Sequence, residues 1–233
     1  VLSEEGPLDA IVNVGASLKG CEDSLSLASR YDRVYAAVGV HPEEVESLNP
    51  DKLKWIEDMA VSDKKVLAIG EIGLDYHYPE PGKDIQKYWF RQQLSIARKI
   101  NKPVIIHSRE ACADTLECMR QEHAQDFGGI IHCYSYTKEA ARDYLNMGFY
   151  FGIGGVVTFK NAKKLVEAVE YIPMDRILLE TDCPYMAPEP HRGTRNDSRN
   201  IVYVAEKIAQ IKGITAQEVI DITNNNARVL FGL

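Results

Sequence analysis

The chain has 233 residues, of which 45% are hydrophobic and 26% are charged, and its formal net charge is −7. This length suits one α/β domain, and this composition is typical of a folded globular protein and excludes a disordered one. The negative charge argues against tight nonspecific binding to nucleic acid, which usually requires a basic surface. It leaves open a site that binds a few phosphates through metal ions.

Short apolar runs rich in Val and Ile alternate with amphipathic stretches along the chain. The runs predict strands with both faces buried, as in a parallel sheet. They lie at residues 9–15, 34–40, 66–71, 103–107, 129–132, 149–153 and 176–182. The amphipathic stretches predict helices at residues 21–31, 50–62, 83–101, 111–123, 137–147 and 160–171, with two more after residue 200. Thr215 and Glu218 have the spacing of a capping box at the start of the last helix.

This alternation of strands and helices indicates a barrel or a doubly wound sheet. We favour a TIM-like (β/α)₈ barrel that forms a single domain over residues 1–233. The sequence offers seven strands where the barrel has eight. Because two helices follow the last strand, we expect the missing strand to be the first one and the chain to be truncated at its amino end.

Residue types that bind metals stand at the ends of four predicted strands. Glu71, His107, His132 and Asp182 each close one of them. In a barrel the carboxyl ends of the strands converge on one face, where the active site lies. Two imidazoles and two carboxylates suit Zn²⁺ or Mn²⁺ better than Mg²⁺, which prefers fewer nitrogen ligands. The alternative for any one of these residues alone is a hydrogen-bonded structural role.

Five short motifs run through the chain in a fixed order. They are GVHP (39–42), GEIGLDY (70–76), KPVIIHSR (102–109), HCYS (132–135) and ETDCPY (180–185). In this order they resemble the TatD family of metal-dependent deoxyribonucleases over essentially the whole chain. The resemblance implies a divalent-metal-dependent phosphodiester hydrolase of the amidohydrolase superfamily. Its substrate would be DNA, at single-stranded 3′ ends, attacked as a 3′–5′ exonuclease would.

The resemblance also implies roles for the four strand-end residues. Glu71 would bridge two divalent ions (Mg²⁺, Mn²⁺ or Zn²⁺), and His107 and His132 would hold one of them. Asp182 would bind metal and orient or deprotonate the attacking water, so Glu71 and Asp182 are the predicted catalytic residues. The family has an H-x-H motif on its first strand, and this sequence contains no H-x-H. We therefore expect a truncated chain to bind metal poorly and to have little activity.

Five further residues are candidates for binding substrate. His41 and Arg109 could contact phosphate, and Tyr76 could stack on a base. We expect Asp75 and Tyr76 to lie in a loop after Glu71, where Asp75 could orient a ligand. The alternatives are a packed histidine, a surface salt bridge and a tyrosine that caps the barrel. Arg192 lies in a loop that the family usually writes RGKRN; here Thr194 replaces the lysine, so Arg192 is the better phosphate contact.

Glu180 lies two residues before Asp182, and strand alternation would direct both side chains to one face. A carboxylate inside a barrel needs a partner, and we expect Glu180 to form a hydrogen bond with the ring of a histidine that binds the metal. Two cysteines, Cys133 and Cys183, adjoin predicted ligands, but the same alternation predicts that they are packed away from the site.

Two other functions stay open. The first is an amidohydrolase-type esterase or amidase, such as an aminoacyl-ester deacylase. Many such enzymes bridge their metals with a modified lysine, and no predicted strand ends in lysine here. The second is an inactive fragment or scaffold, which would not need four ligand-type residues at strand ends.

The cellular location is predicted from the apolar runs and from the cysteines. No apolar run reaches the roughly 18 residues of a membrane helix. The five cysteines are odd in number and form no C-x-x-C pair, which disfavours a disulfide framework. We therefore expect a cytoplasmic protein with no membrane partner.

Overall fold

The computed structural model describes residues 8–233. These residues form two compact units, Leu8–Ile130 and Ile131–Leu233. We call them the amino-terminal unit and the carboxy-terminal unit. The prediction of a single domain over the whole chain stays a prediction. Among residues 8–233, none of the helices combines the length and the hydrophobicity that a membrane-spanning segment needs.

The amino-terminal unit is built from strands that alternate with helices. Its elements are β1 (Ile11–Val14), α1 (Leu18–Arg30), β2 (Val34–Val38), α2 (Pro50–Ser62), β3 (Val66–Asp75), α3 (Lys83–Ile100), β4 (Val104–Arg109) and α4 (Cys112–Gln121). Strands β1 to β4 pair in parallel in chain order. The boundary between the units falls within β5 (Gly129–Ile131).

Burial explains why these residues form the sheet. Most residues of β3 are buried, and its apolar side chains include the fully buried Ile69 and Ile72. Helix α3 buries one face, which includes Phe90 and Leu94. Helix α2 begins as predicted, because Asn49 accepts a hydrogen bond from the Lys52 amide and proline follows it.

The carboxy-terminal unit continues the alternation. Its elements are α5 (Lys138–Asn146), β6 (Tyr150–Ile153), α6 (Lys163–Tyr171), β7 (Ile177–Leu179), α7 (Ile201–Lys212) and α8 (Ala216–Phe231). Strands β6 and β7 are parallel, with Phe151 opposite Ile177. The predicted capping box at Thr215 and Glu218 is present at the start of α8.

All seven predicted strands and eight predicted helices occur among the described residues, but some strand ends differ. Strand β3 continues to Asp75, so Glu71 lies inside the strand and the loop predicted for Asp75 is wrong. Strand β4 continues to Arg109, which was predicted to lie in the loop after it. Strand β7 ends at Leu179, so strand alternation does not apply to Glu180 and Asp182.

The reason for the longer β3 is its backbone pairing with β4. Gly73, Leu74 and Asp75 stand opposite His107, Ser108 and Arg109. Position 73 also requires the absence of a side chain, since a Cβ there would lie 1.9 Å from the carbonyl oxygen of His107. Close contact between the two strands thus depends on this glycine.

Candidate metal centre

Three side chains of the amino-terminal unit place ligand-type atoms close together. His41, Asp75 and His107 each offer one such atom, and these atoms lie within 4.8 Å of one another. Asp75 ends β3, His107 lies in β4, and His41 precedes the 3₁₀ helix Pro42–Ser47. The rings of His41 and His107 pack edge to face, with centroids 4.3 Å apart. We call these three residues the triad.

Glu71 adjoins the triad. Its Oε1 lies 3.1 Å from Nδ1 of His107 and 4.0 Å from Nε2 of His41. The Glu71 amide donates to the carbonyl oxygen of Gly15 at 2.8 Å, which fixes the backbone of β3 beside the end of β1. The predicted ligands Glu71 and His107 are therefore neighbours. The structure adds His41 and Asp75 as ligand-type partners, where the sequence had suggested contact with substrate.

Two carboxylates surround the His107 ring. Its Nε2 lies 2.9 Å from Oδ2 of Asp75, opposite the contact with Glu71. Burial disfavours the charged ring, but the hydrogen bonds and charges of Asp75 and Glu71 outweigh it and raise the pKa of His107 to about 9. Burial likewise opposes ionisation of Asp75, yet the hydrogen bonds from His107 and the His77 amide lower the pKa of its carboxyl. The raised pKa of His107 and the lowered pKa of Asp75 both indicate that the site stabilises positive charge.

The carboxy-terminal unit brings three other predicted residues together. Nδ1 of His132 lies 2.8 Å from Oε2 of Glu180, and Nε2 of His132 lies 3.4 Å from Oδ1 of Asp182. Glu180 thus contacts a predicted ligand histidine, the contact expected for it. Oε1 of Glu180 also accepts from the Cys133 amide at 2.7 Å. Cys133 and Asp182 both have positive φ, 46° and 53°, so the chain turns sharply at each residue.

Gly152 of β6 makes room for Glu180. A Cβ at this position would lie 2.0 Å from Oε2 of Glu180. Any larger residue would therefore displace the carboxylate that holds His132. The predicted meeting of His132 and Asp182 with Glu71 and His107 stays a prediction.

The segment after Asp182 is irregular and is held by Asn196. This side chain is 4% exposed, and its Nδ2 donates to the carbonyl oxygens of Thr181 and Tyr185 at 2.6 and 2.7 Å. Residues 183–184 and 195–198 line an open cavity of about 320 Å³. Cys183 is exposed, so its prediction as a packed thiol is wrong.

The predicted substrate contacts differ in their surroundings. Tyr76 donates its hydroxyl hydrogen to Asp114 at 2.7 Å, and Nζ of Lys83 lies 4.3 Å from its ring centroid. Arg109 is exposed, and its guanidinium carbon lies 5.7 Å from the ring centroid of Tyr78. Arg192 is exposed as well and stacks at 4.3 Å over Phe159. Both arginines therefore offer cationic groups at the surface, held beside aromatic rings.

Comparison with known proteins assigns the chain to a family. Residues 3–232 match the family model described as TatD related DNase. The chain belongs to this family. It is a TatD-family metal-dependent hydrolase, and its predicted TIM-like α/β fold is confirmed.

Individual relatives of this TatD-family hydrolase support the same family assignment. It is 44% identical over 224 residues to YabD of Bacillus subtilis (strain 168), named an uncharacterized metal-dependent hydrolase, covering 96% of this chain and 88% of the relative. It is 40% identical over 220 residues to YcfH of Escherichia coli (strain K12), which has the same description, covering 94% and 81%. The solved structure of YJJV, a TatD homolog from Escherichia coli K12, superposes with a TM-score of 0.91 at 27% identity, covering 97% and 87%.

The triad fits the metal ion on which such hydrolases depend. Two imidazoles and one carboxylate are the donors that Zn²⁺ and Mn²⁺ accept. Their ligand-type atoms already converge, and a second carboxylate, Glu71, lies beside them. The sequence missed His41 and Asp75 as members of this group, although both stand in the motifs that carry the resemblance. Their positions near strand ends were the available signal.

Proposed function

We propose that this protein is a deoxyribonuclease that hydrolyses phosphodiester bonds, removing nucleotides from single-stranded 3′ ends. Family membership supports the reaction class. The single observation that carries the proposal is the convergence of His41, Asp75 and His107 beside Glu71. The exposed guanidinium groups of Arg109 and Arg192 support an anionic, phosphate-bearing substrate.

The proposal gives each residue a part. The triad and Glu71 would hold the divalent cations in the amino-terminal unit. Within the carboxy-terminal unit, His132 and Asp182 offer a further imidazole and carboxylate of the types that bind metals. Glu180 accepts a hydrogen bond from one ring nitrogen of His132, which leaves the other ring nitrogen directed toward Asp182. This arrangement is the one by which outer carboxylates orient ligand histidines.

The cations, when bound, act as Lewis acids that lower the pKa of water and neutralise charge on the phosphate. The protein's own groups do the rest. Asp182 accepts the proton of the water that attacks phosphorus, the P–O3′ bond breaks, and the proton then passes to the leaving O3′ of the shortened strand. Arg109 and Arg192 bind non-bridging phosphate oxygens, and the exposed ring of Tyr78 beside Arg109 offers a base a surface for stacking.

The test is hydrolysis by the full-length protein with Mg²⁺, Mn²⁺ or Zn²⁺ of a 5′-labelled single-stranded oligonucleotide. A ladder that shortens from the 3′ end is expected. Asp182→Asn should lower the rate roughly 10²- to 10⁴-fold, and Glu71→Gln should abolish the ladder. Asp84→Asn is the matched control, because Asp84 is fully exposed in the same unit as Glu71, and it should leave the rate unchanged.

An aminoacyl ester is assayed in parallel, because a metal centre of this kind could also serve an esterase. Hydrolysis of the ester with no release of nucleotides from any oligonucleotide would overturn the proposal. Internal cleavage without a 3′ ladder would retain a deoxyribonuclease and overturn the direction of attack.

A further inference from the structure

Helix α3 carries two glutamines on its buried face. Gln86 is 1% exposed and Gln93 is 0% exposed. They are seven residues apart, two helical turns, so both side chains leave the same side of the helix. A buried amide carries two donors and an acceptor, each of which is costly to leave without a partner.

Gln93 pairs with the backbone of Val40, the residue before His41. Its Oε1 accepts from the Val40 amide at 2.8 Å, and its Nε2 donates to the Val40 carbonyl oxygen at 3.1 Å. One side-chain amide thus binds both backbone groups of one residue, as a neighbouring strand would. Val40 is itself fully buried, so no water replaces this pairing at low cost.

Gln86 does the same for Asp75. Its Oε1 accepts from the Asp75 amide at 2.9 Å, and its Nε2 donates to the Asp75 carbonyl oxygen at 2.8 Å. The same Nε2 donates to the carbonyl oxygen of Pro81 at 2.7 Å, which ties the segment after β3 to the helix. Both N–H donors and the oxygen of the Gln86 amide are therefore used on backbone, at Asp75 of the triad and at Pro81.

Two of the three triad residues are thus placed by one helix. Val40 precedes His41 directly, and Asp75 is itself a member. Metal affinity requires ligands held within about 0.5 Å of the productive geometry. Pairing within the sheet is enough to fix β3 and β4 relative to each other. His41 lies beyond the end of β2, so its position depends on contacts other than strand pairing.

We propose that Gln86 and Gln93 are positioning residues, which set the spacing of Asp75 and His41 for a divalent cation. This inference rests on the proposed function of the triad as a metal site. If the two glutamines only stabilised the fold, their substitution would lower the stability of the protein and leave the cation affinity of the folded protein unchanged.

The experiment measures Mn²⁺ binding by titration calorimetry to the full-length protein and to Gln86→Met and Gln93→Met. Methionine keeps the length of the side chain and removes its hydrogen bonds. Each substitution should weaken Mn²⁺ binding about tenfold. It should also change the visible absorption bands of the Co²⁺-loaded protein, which report ligand geometry.

Two controls separate positioning from stability. Gln92→Met makes the same change at the neighbouring, half-buried residue and should bind Mn²⁺ as the unsubstituted protein does. Leu94→Ala removes a fully buried side chain of the same helix and should destabilise the fold while the Mn²⁺ affinity and Co²⁺ bands stay unchanged. If the methionine variants do not fold, Gln86→Asn and Gln93→Asn replace them. Asparagine is one methylene too short to reach both backbone atoms, and the same loss is expected.

Unchanged Mn²⁺ affinity and Co²⁺ bands in the Gln86 and Gln93 variants would overturn the inference and leave the proposed function standing. An affinity loss in Leu94→Ala equal to theirs would overturn it too. Absence of Mn²⁺ binding by the unsubstituted full-length protein would instead overturn the metal site on which both proposals rest.

Discussion

The Nε2 atom of His107 lies 2.9 Å from Oδ2 of Asp75, whose side chain is only 2% exposed. A carboxylate so deeply buried is costly unless a charge or several donors compensate it. Asp75 has two such partners, His107 and the amide of His77, which donates to its Oδ1 at 2.8 Å. Asp75 therefore concentrates negative charge at the point where a cation is expected.

Replacement of Asp75 by Asn should weaken Mn²⁺ binding to the full-length protein at least about tenfold. The amide keeps the size of the side chain but loses its charge. Titration calorimetry measures the effect, with Asp84→Asn as the control of equal chemistry at a fully exposed site. Equal affinity in Asp75→Asn and the unsubstituted protein would exclude Asp75 from the metal centre.

Replacement of Glu180 by Gln should cost about 1–3 kcal/mol of unfolding free energy. Glu180 accepts from both His132 and the Cys133 amide through separate oxygens. A glutamine has one oxygen, so one of these donors would face an NH₂ group. Urea unfolding measures the loss, and Glu167→Gln, at an exposed site of α6, should change stability by less than about 0.5 kcal/mol. Glu180→Gln that is as stable as its control would show that the second carboxylate oxygen of Glu180 does not stabilise the fold.

Replacement of Tyr76 by Phe should destabilise the protein in a pH-dependent manner. The Tyr76 hydroxyl donates to Asp114 and lowers the pKa of that carboxyl. A carboxyl whose pKa is lower in the folded state stabilises the fold above its unfolded pKa, and this contribution is lost as the pH falls through the folded pKa. We expect a loss of about 1 kcal/mol at pH 7 that shrinks toward pH 3.

Urea unfolding of Tyr76→Phe at both pH values tests this. Tyr88→Phe, at a tyrosine that is 55% exposed on α3, should show no pH-dependent loss. A loss for Tyr76→Phe that is the same at pH 7 and pH 3 would show that the ionised Asp114 is not its cause.

Cys183 should react faster than the buried cysteines with a thiol reagent in the folded protein. Cys183 is exposed, whereas burial raises the pKa of both Cys21 and Cys118 to about 11. The thiolate is the reactive form, so the buried pair should react only after unfolding. Absorbance of released thionitrobenzoate follows the reaction, and Cys183→Ser should lose the fast phase. A fast phase that survives this substitution would place it on another cysteine.

Much of the fold could be predicted because local patterns and tertiary packing agree. The Val- and Ile-rich runs form strands, and helix α2 starts at Pro50, the first residue of its predicted range, with Asn49 as its cap. The end of β3 could not be predicted in the same way. The glycines at 70 and 73 interrupt the apolar run, and only the pairing with β4 carries the strand on to Asp75.

The candidate site, like the fold, has residues that could be predicted from the sequence and residues that could not. Glu71 and His107 could be predicted as neighbours because they stand near the ends of adjacent parallel strands. The backbone contacts of Gln86 and Gln93 could not be predicted, because a side-chain amide that binds distant backbone leaves no local sequence pattern. The available signal was weak: two polar residues, seven apart, on the otherwise apolar stripe that includes Phe90 and Leu94.

A cation held by His41, Asp75 and His107 should be visible by anomalous diffraction from crystals of the full-length protein grown with Mn²⁺ or Zn²⁺. We predict a peak at about 2.0–2.2 Å from ligand atoms of all three side chains. A strong peak elsewhere, with these three side chains bound to no ion, would exclude the triad as the metal centre.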